Sequence, residues 1–129
     1  MEKAKVLFVG ESWVSASTHF KGWDFFSSAV YEIGIEELIG IFMRNNIQVD
    51  HMPSHIAAKD FPATVNSLKA YDILILSDIG SNTLLLHPDV WLKGKSIPNR
   101  LNVIKDWVNE GGGFMMCGGY LSFSGIYGS

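Results

Sequence analysis

The chain has 129 residues, of which 47% are hydrophobic and 18% charged, a composition typical of one globular domain and not of a disordered chain. Its net charge of −3, without any basic cluster, argues against nucleic acid as a partner. A single cysteine excludes an internal disulfide and fits a reducing cytoplasm, and the apolar run near the N-terminus is too short for a signal peptide or a membrane span. These features predict one cytoplasmic domain, residues 1–129, with neither nucleic acid nor membrane as a partner.

The N-terminal half of the chain predicts two strands and one helix. Lys5–Val9 is a continuous apolar run, as in a strand that is covered on both faces of a parallel sheet. A long, aromatic-rich loop is expected from Glu11 to about Ser27. Apolar residues then recur at helical spacing from Ile35 to Met43, and Ile47–His51 predicts the second strand.

The C-terminal half predicts two further helices and two further strands. A short helix, Phe61–Leu68, opens on a proline, which suits a first helical turn. Tyr71–Asp78 is the clearest strand of the chain, and a second long loop is expected from Ile79 to about Ser96. The next helix runs from Pro98 to the glycines that begin at Gly111, and Phe114–Cys117 is the fourth strand.

Strands that alternate with helices predict a parallel sheet with right-handed crossovers. The simplest arrangement is an α/β fold with a flavodoxin-like, doubly wound parallel sheet in the strand order 2-1-3-4. Domains of this kind usually continue with another strand and helix, whereas Leu121 to Ser129 carries no helical pattern. We therefore expect a domain that is incomplete after its fourth strand.

An incomplete sheet has consequences for association. The fourth strand would expose an apolar edge with unpaired N–H and C=O groups, and the helix that begins at Ile35 would lack its usual neighbouring helix. We expect the chain to form a homo-oligomer through one of these two surfaces, or else to aggregate.

Five stretches carry a resemblance to a known family: VLFVGESWVSASTHFKGWDFFSSAVYE, HMPSHIAAKDFP, YDILILSDIGSNTLLLHP, PNRLNVIKDWVNEGGG and GGYLSFSG. Together they resemble the uncharacterised putative glutamine amidotransferase family, which is similar to class I glutamine amidotransferases and to trehalose-utilisation-type proteins. Members of this family are considerably longer and continue past the last stretch. The resemblance therefore implies the N-terminal half of such a protein.

Glutamine hydrolysis in the class I family needs a cysteine at a sharp strand-to-helix turn, with a histidine and a glutamate from the C-terminal part of the domain. Such a turn needs small residues two positions before and after its apex, and Gly118–Ser122 then places Tyr120 at the apex. Cys117 is expected to be a small buried residue of the strand. The resemblance also implies an oxyanion loop after the third strand, to which Gly80 could contribute. We expect the chain to have the scaffold of this family but to lack glutaminase activity. The alternative is an active amidotransferase when the protein is complete.

Polar side chains follow three of the predicted strands at the carboxyl edge, where ligands bind in open α/β sheets. If these strands are neighbours, the side chains surround one crevice, which predicts a site for a small molecule. For Asp78, Ser81 and Asn82, capping and turning the loop is an equally good explanation. The candidate ligand-binding residues are Glu11, Ser12, Trp13, Asp78, Ser81, Asn82, Tyr120 and Ser122.

The four histidines show no metal-binding arrangement. His51 and His55 have helical spacing, but Pro53 lies between them and argues against a regular helix. We interpret the histidines as loop hydrogen-bonding residues, with the exception of His19, whose loop is expected to overhang the crevice and which joins the ligand-binding candidates. Ser15–Thr18 has hydroxyls that could bind the phosphate of a flavin, but it lacks the glycine that would let the backbone approach that phosphate. We therefore expect no cofactor. From the pattern of the histidines we also expect no metal.

A second class of protein remains open, the phosphoryl-receiver domain of response regulators. The third strand resembles the one that carries the phosphorylated aspartate, with Asp78 as acceptor and Glu11 near a magnesium ion. That site needs a carboxylate pair after the first strand, and only Glu11 is present.

Overall fold

The structure is a computed structural model that describes residues 3–119 and 122–123. Strands and helices alternate after an N-terminal strand and a hairpin. In chain order the elements are β1 Lys5–Gly10, β2 Ser12–Lys21, β3 Asp24–Ile33, α1 Glu36–Arg44, β4 Gln48–Met52, α2 Ser54–Asp60, α3 Val65–Leu68, β5 Ile73–Ser77, α4 Ser81–Leu85, α5 Pro88–Lys93, α6 Arg100–Asn109 and β6 Gly113–Cys117.

The central sheet has four parallel strands in the order β4-β1-β5-β6. Strand β1 lies in the middle, so that Val6 is paired with Val49 on one side and with Ile73 on the other. Because β4, β5 and β6 are the second, third and fourth strands of this sheet along the chain, the predicted order 2-1-3-4 is confirmed, as is the α/β fold.

Helices cover both faces of the sheet, because successive side chains of a strand point to opposite faces. Leu7 and Val9 face a core that includes Leu68 and Trp107 from α3 and α6. Val6 and Phe8 face a second, smaller core, which Ile35 closes at the start of α1. Burying each Leu- or Ile-sized side chain contributes roughly 1.5–3 kcal/mol, so the continuous apolar run of β1 stabilises both layers at once.

The first long loop was predicted wrongly, because most of it forms an antiparallel hairpin of β2 and β3. The two strands pair from Ser12 with Ile33 to Lys21 with Asp24, joined by a two-residue turn. Gly22 opens that turn with a φ of +67°, as two-residue hairpin turns require at their first central position. We refer to residues 12–33 as the hairpin arm.

The second long loop was also predicted wrongly, since it contains the short helices α4 and α5. His87 caps α5 by accepting a hydrogen bond from the backbone of Asp89, and Pro88 follows as its first residue. The predicted helix Phe61–Leu68 is replaced by α2 before the proline and α3 after it. Helix α6 begins two residues later than predicted because the side chain of Asn99 caps it.

Arg100 joins two of these helices from within the core. Its guanidinium donates hydrogen bonds to the carbonyls of Ala57 and Ala58 in α2 and to those of Thr83 and Leu84 in α4. The burial of the side chain lowers the pKa of Arg100 from its ordinary value, since desolvation penalises the charged form. These helix-end carbonyls take the place of a carboxylate partner.

Strand β6 is the outer strand of the sheet within the described residues, and Phe114 and Met115 on it are exposed. Cys117 was predicted to be buried, but its side chain is only half-buried because no strand follows beyond β6 in the described sheet. It packs against the smaller core that contains Phe8 and Ile75.

Candidate functional site

The candidate site lies at the carboxyl ends of β1 and β5, which are neighbours in the sheet. Glu11 directly follows β1, and Asp78 directly follows β5. Both residues have a left-handed backbone, with φ of 49° for Glu11 and 47° for Asp78. Aspartate tolerates this conformation, whereas for glutamate it is uncommon and costs roughly 1–2 kcal/mol. The two carboxylates thus leave the sheet at matching, sharply turned positions.

Three hydrogen bonds hold Glu11 in this conformation. Its N–H donates to the carbonyl of Ser77 at 3.0 Å, and its carbonyl accepts from Gly34 at 2.9 Å. Its carboxylate accepts from the hydroxyl of Ser77 at 2.5 Å. The side chain is therefore positioned by the end of the neighbouring strand β5.

Asp78 lies against the backbone that follows β6. Its N–H donates to the carbonyl of Cys117 at 3.4 Å. A Cβ atom on Gly119 would lie 1.6 Å from Oδ1 of Asp78, so only glycine leaves room for this carboxylate. The glycine pair that suggested a sharp turn from sequence thus has a second role in the site.

The base of the hairpin arm forms the opposite wall. Ser12 is buried, and its hydroxyl accepts a hydrogen bond from the N–H of Ser54 at 2.8 Å, while the Ser54 hydroxyl donates back to the Ser12 carbonyl at 3.1 Å. The indole N–H of Trp13 donates to Glu32 at 2.9 Å. The indole ring also lies over Gly34, where a Cβ would be 3.2 Å from it.

These groups surround a cavity of about 820 Å³, which we call the edge cavity. Its two ionisable groups are carboxylates, and the described part of the chain contributes no basic side chain to its wall. The residues that line it are Glu11, Ser12, Trp13, Ser54, Asp78, Ile79, Gly80, Thr83, Gly118 and Gly119.

The structure brings together four of the sequence-predicted candidates, Glu11, Ser12, Trp13 and Asp78, and also the predicted loop residue Gly80. Sequence reasoning missed Ser54 and Thr83, which enter from the first turns of α2 and α4. Pro53, which follows β4 and is the N-cap residue of α2, was the available signal for Ser54, because a proline after a predicted strand marks a break before the next element.

The other candidates lie elsewhere. Ser81 lines a neighbouring, mostly apolar cavity of about 430 Å³. Asn82 is the next residue of α4 and does not line the edge cavity. His19 lies on the hairpin arm, where its ring stacks on Phe26 at 4.7 Å. Ser122 is buried and donates a hydrogen bond to the carbonyl of Ile79 at 3.3 Å. Tyr120, the predicted apex, falls outside the described residues.

The remaining histidines have structural partners. His51 donates a hydrogen bond to the carbonyl of Gly10 at 2.8 Å, and His55 meets the ring of Tyr31 edge-on. Within residues 3–119 and 122–123, no group of three His, Cys, Asp or Glu side chains is arranged to hold a metal ion.

The parallel sheet in the order β4-β1-β5-β6, with helices on both faces, defines an α/β domain of the flavodoxin-like class. The chain belongs to the putative glutamine amidotransferase family, whose sequence profile matches residues 5–129. This confirms the resemblance of the sequence to the putative glutamine amidotransferase family. No curated protein shows significant similarity to the chain.

Two solved structures are similar to this one, each with a TM-score of 0.90. Cytoplasmic protein STM3548 from Salmonella typhimurium is 44% identical, over 95% of this chain and 50% of its own. Cytoplasmic protein STM1381 from Salmonella typhimurium LT2 is 47% identical, over 97% of this chain and 51% of its own. The chain thus spans about half the length of these proteins.

Proposed function

We propose that this chain is a glutamine amidotransferase-like domain that binds a small molecule in the edge cavity and does not hydrolyse glutamine. The convergence of Glu11, Trp13 and Asp78 on a single cavity of about 820 Å³ carries the proposal. Ligand pockets are commonly about 300–1,000 Å³ in volume, with a few polar groups set in a mostly apolar wall.

The charges of the wall indicate the chemistry of the ligand. Two carboxylates without a basic neighbour in the described wall attract a group that is positively charged and donates hydrogen bonds, and they repel an anion. Trp13 also lines the cavity, and an aromatic ring attracts a cation that lies over its face. We therefore assign a ligand that carries a protonated amine.

The position of the cysteine supports the absence of hydrolysis. Cys117 packs against the smaller core, next to Phe8 and Ile75, and does not line the edge cavity. A thiol becomes an effective nucleophile when a base or a positive charge lies beside it. Neither histidine nor cysteine is among the described residues that line the edge cavity.

Isothermal titration with L-glutamine, putrescine and glucose as probes tests the proposal. Putrescine should bind and the uncharged sugar should not, and L-glutamine should bind more weakly than putrescine because its carboxylate is repelled by the two carboxylates of the wall. Glu11→Gln and Asp78→Asn should each weaken binding of the amine by about tenfold or more, because each removes one charge-assisted hydrogen bond. Glu36→Gln and Asp24→Asn are matched controls on exposed carboxylates outside the cavity and should leave the affinity unchanged.

Amine binding that is equally weakened by the two control substitutions, or that survives loss of both cavity carboxylates, would contradict this ligand assignment. Ammonia release from glutamine is measured separately. None is expected from this chain, and release that Cys117→Ser abolishes would show that the domain is a glutaminase after all.

Glutamine hydrolysis by a longer protein is the second candidate function. The family match and the position of Gly80, which lines the edge cavity where the oxyanion loop was expected, favour it. The catalytic histidine and glutamate would then come from the half that the two longer Salmonella proteins have in addition. The ammonia assay on a protein of that length would decide this candidate.

We also propose a cytoplasmic location, as both Salmonella proteins are named cytoplasmic. In the part of the chain that the structure describes, no helix has the length and apolar character needed to cross a membrane.

A further inference from the structure

The hairpin arm projects from the domain. Every one of its residues beyond the buried Ser12 is exposed, and the tip residue Trp23 is fully so. An isolated two-stranded hairpin is only marginally stable in water, and three strands or a packing partner are normally needed. An arm of ten residues per strand, about 33 Å long, therefore calls for a partner.

The two faces of the arm differ in chemistry. Residues paired across an antiparallel ladder share a face, and the faces alternate along each strand. One face carries the three ionised side chains Lys21, Asp24 and Glu32, along with the stacked pair His19 and Phe26. The other, which we call the uncharged face, consists of Ser12, Val14, Ala16, Thr18, Phe20, Phe25, Ser27, Ala29, Tyr31 and Ile33.

Large and small side chains are distributed regularly along the uncharged face. Val14 and Tyr31 form a pair at its base, and Phe20 and Phe25 form a pair at its tip, with ring centroids 5.6 Å apart. Between these two pairs lie four small residues, two alanines with Thr18 and Ser27, whose hydroxyls are 2.8 Å apart. The pattern is thus symmetric about the middle of the arm.

We infer that the uncharged face is where a second copy of this chain docks, with the two arms antiparallel. A two-fold axis at the middle of the arm places the tip pair of each copy over the base pair of the other copy. This reciprocal contact is what two-fold symmetry requires. The small central residues allow the twisted ribbons to approach closely where they cross.

The base of the arm has a hollow that suits the partner's tip. A cavity of about 460 Å³ lies there, lined by Ser12, Trp13, Val14, Tyr31 and two residues of α2, one of which is His55. Phe20 and Phe25 are 73% and 66% exposed, so both rings are free to enter such a hollow. Aromatic side chains in pockets are the usual anchors of interfaces.

The size of the surface is adequate for a stable pair. The exposed area of the uncharged face is on the order of 700 Å² per copy, close to the roughly 800 Å² per partner that standard interfaces bury. The charged face of the arm stays in water in this arrangement. The alternative contacts between two copies are the surfaces predicted from the sequence, strand β6 and helix α1.

Sedimentation equilibrium of the whole chain tests the inference by measuring the Kd of the dimer. The test variant is Val14→Lys, and Val30→Lys is its matched control. Both valines lie on the arm and are similarly exposed, at 63% and 58%, but only Val14 is on the uncharged face. We expect the wild-type chain to dimerise with a Kd of about 1–10 µM. Val14→Lys should raise that Kd by about 100-fold or more, because it buries two lysines without partners, and Val30→Lys should change it less than about threefold.

Phe20→Ser at the tip is a second variant, in case Val14→Lys disturbs the hairpin, and it should raise the Kd by about 30-fold. Far-UV circular dichroism and urea unfolding verify that each variant is folded. A wild-type chain that stays monomeric at about 100 µM would overturn the inference, since such an interface is populated far below that concentration. So would equal effects of Val14→Lys and Val30→Lys, or a dimer that only Met115→Lys on β6 dissociates.

Discussion

Replacing Arg100 by methionine should cost the domain a large part of its stability. Arg100 is only 1% exposed, and its nitrogens lie 2.6–3.2 Å from four carbonyl oxygens of α2 and α4. Two of those carbonyls, on Ala58 and Leu84, have a proline four residues later. Since proline has no N–H, those carbonyls lack the ordinary helical donor, and Arg100 supplies it.

The size of the effect follows from these two carbonyls. A buried acceptor that loses its donor costs about 1–3 kcal/mol, so the loss for two is about 4 kcal/mol. Methionine retains much of the side-chain volume, which keeps a cavity contribution small. Small domains have a free energy of unfolding of about 5–15 kcal/mol, so this change removes a substantial share.

Urea unfolding followed by far-UV circular dichroism measures the loss. With an m-value of about 2 kcal/mol per M, a loss of 4 kcal/mol lowers the midpoint by about 2 M. The other arginine of the chain, Arg44, is exposed at the last turn of α1, and Arg44→Met should change stability by about 1 kcal/mol or less. A loss of less than about 1 kcal/mol for Arg100→Met, compared at equal protein concentration, would refute the reasoning.

Two further predictions concern the sheet. A Cβ on Gly10, where φ is +106°, would lie 1.9 Å from the carbonyl oxygen of Ser77, so Gly10→Ala should cost about 3 kcal/mol or more in urea unfolding. Gly22→Ala, where φ is +67° and the space is open, is its control and should cost only about 1–2 kcal/mol. Burial, with a 3.0 Å hydrogen bond to Asp50, raises the pKa of Tyr71 above its ordinary value of 10.0. The contribution of Tyr71 to the free energy of unfolding is therefore present below pH 10.0 and is lost as the pH rises through the folded-state pKa. In the variant Tyr71→Phe this loss of stability at alkaline pH should be absent. A free energy of unfolding that depends on pH in the same way in the variant and the wild type would contradict the prediction.

The sheet and half of its site could be predicted from local patterns. The apolar runs of β1 and β5 are continuous because both faces of a parallel strand are buried, and that burial makes the strands visible in the sequence. Adjacent parallel strands end at the same edge, so the meeting of Glu11 and Asp78 follows from the strand order alone.

The hairpin arm could not be recognised in this way. Its strands are exposed on both faces, so they lack the strict alternation of apolar and polar residues that marks a half-buried strand. Their connection, Gly22–Trp23, is not one of the common Asn-Gly or Asp-Gly turns, and only the pairing of distant residues reveals the ladder.

Other features depend on packing between elements that are far apart in the sequence. Ser54 and Thr83 reach the edge cavity because their helices pack next to it, and Gly119 is required because Asp78 occupies the space of a side chain. Arg100 would be expected at the surface from its charge, yet it is buried where two helices end before prolines. Periodicity reports which face of one element is buried, whereas these contacts arise only when several elements meet, and therefore the tertiary structure alone decided them.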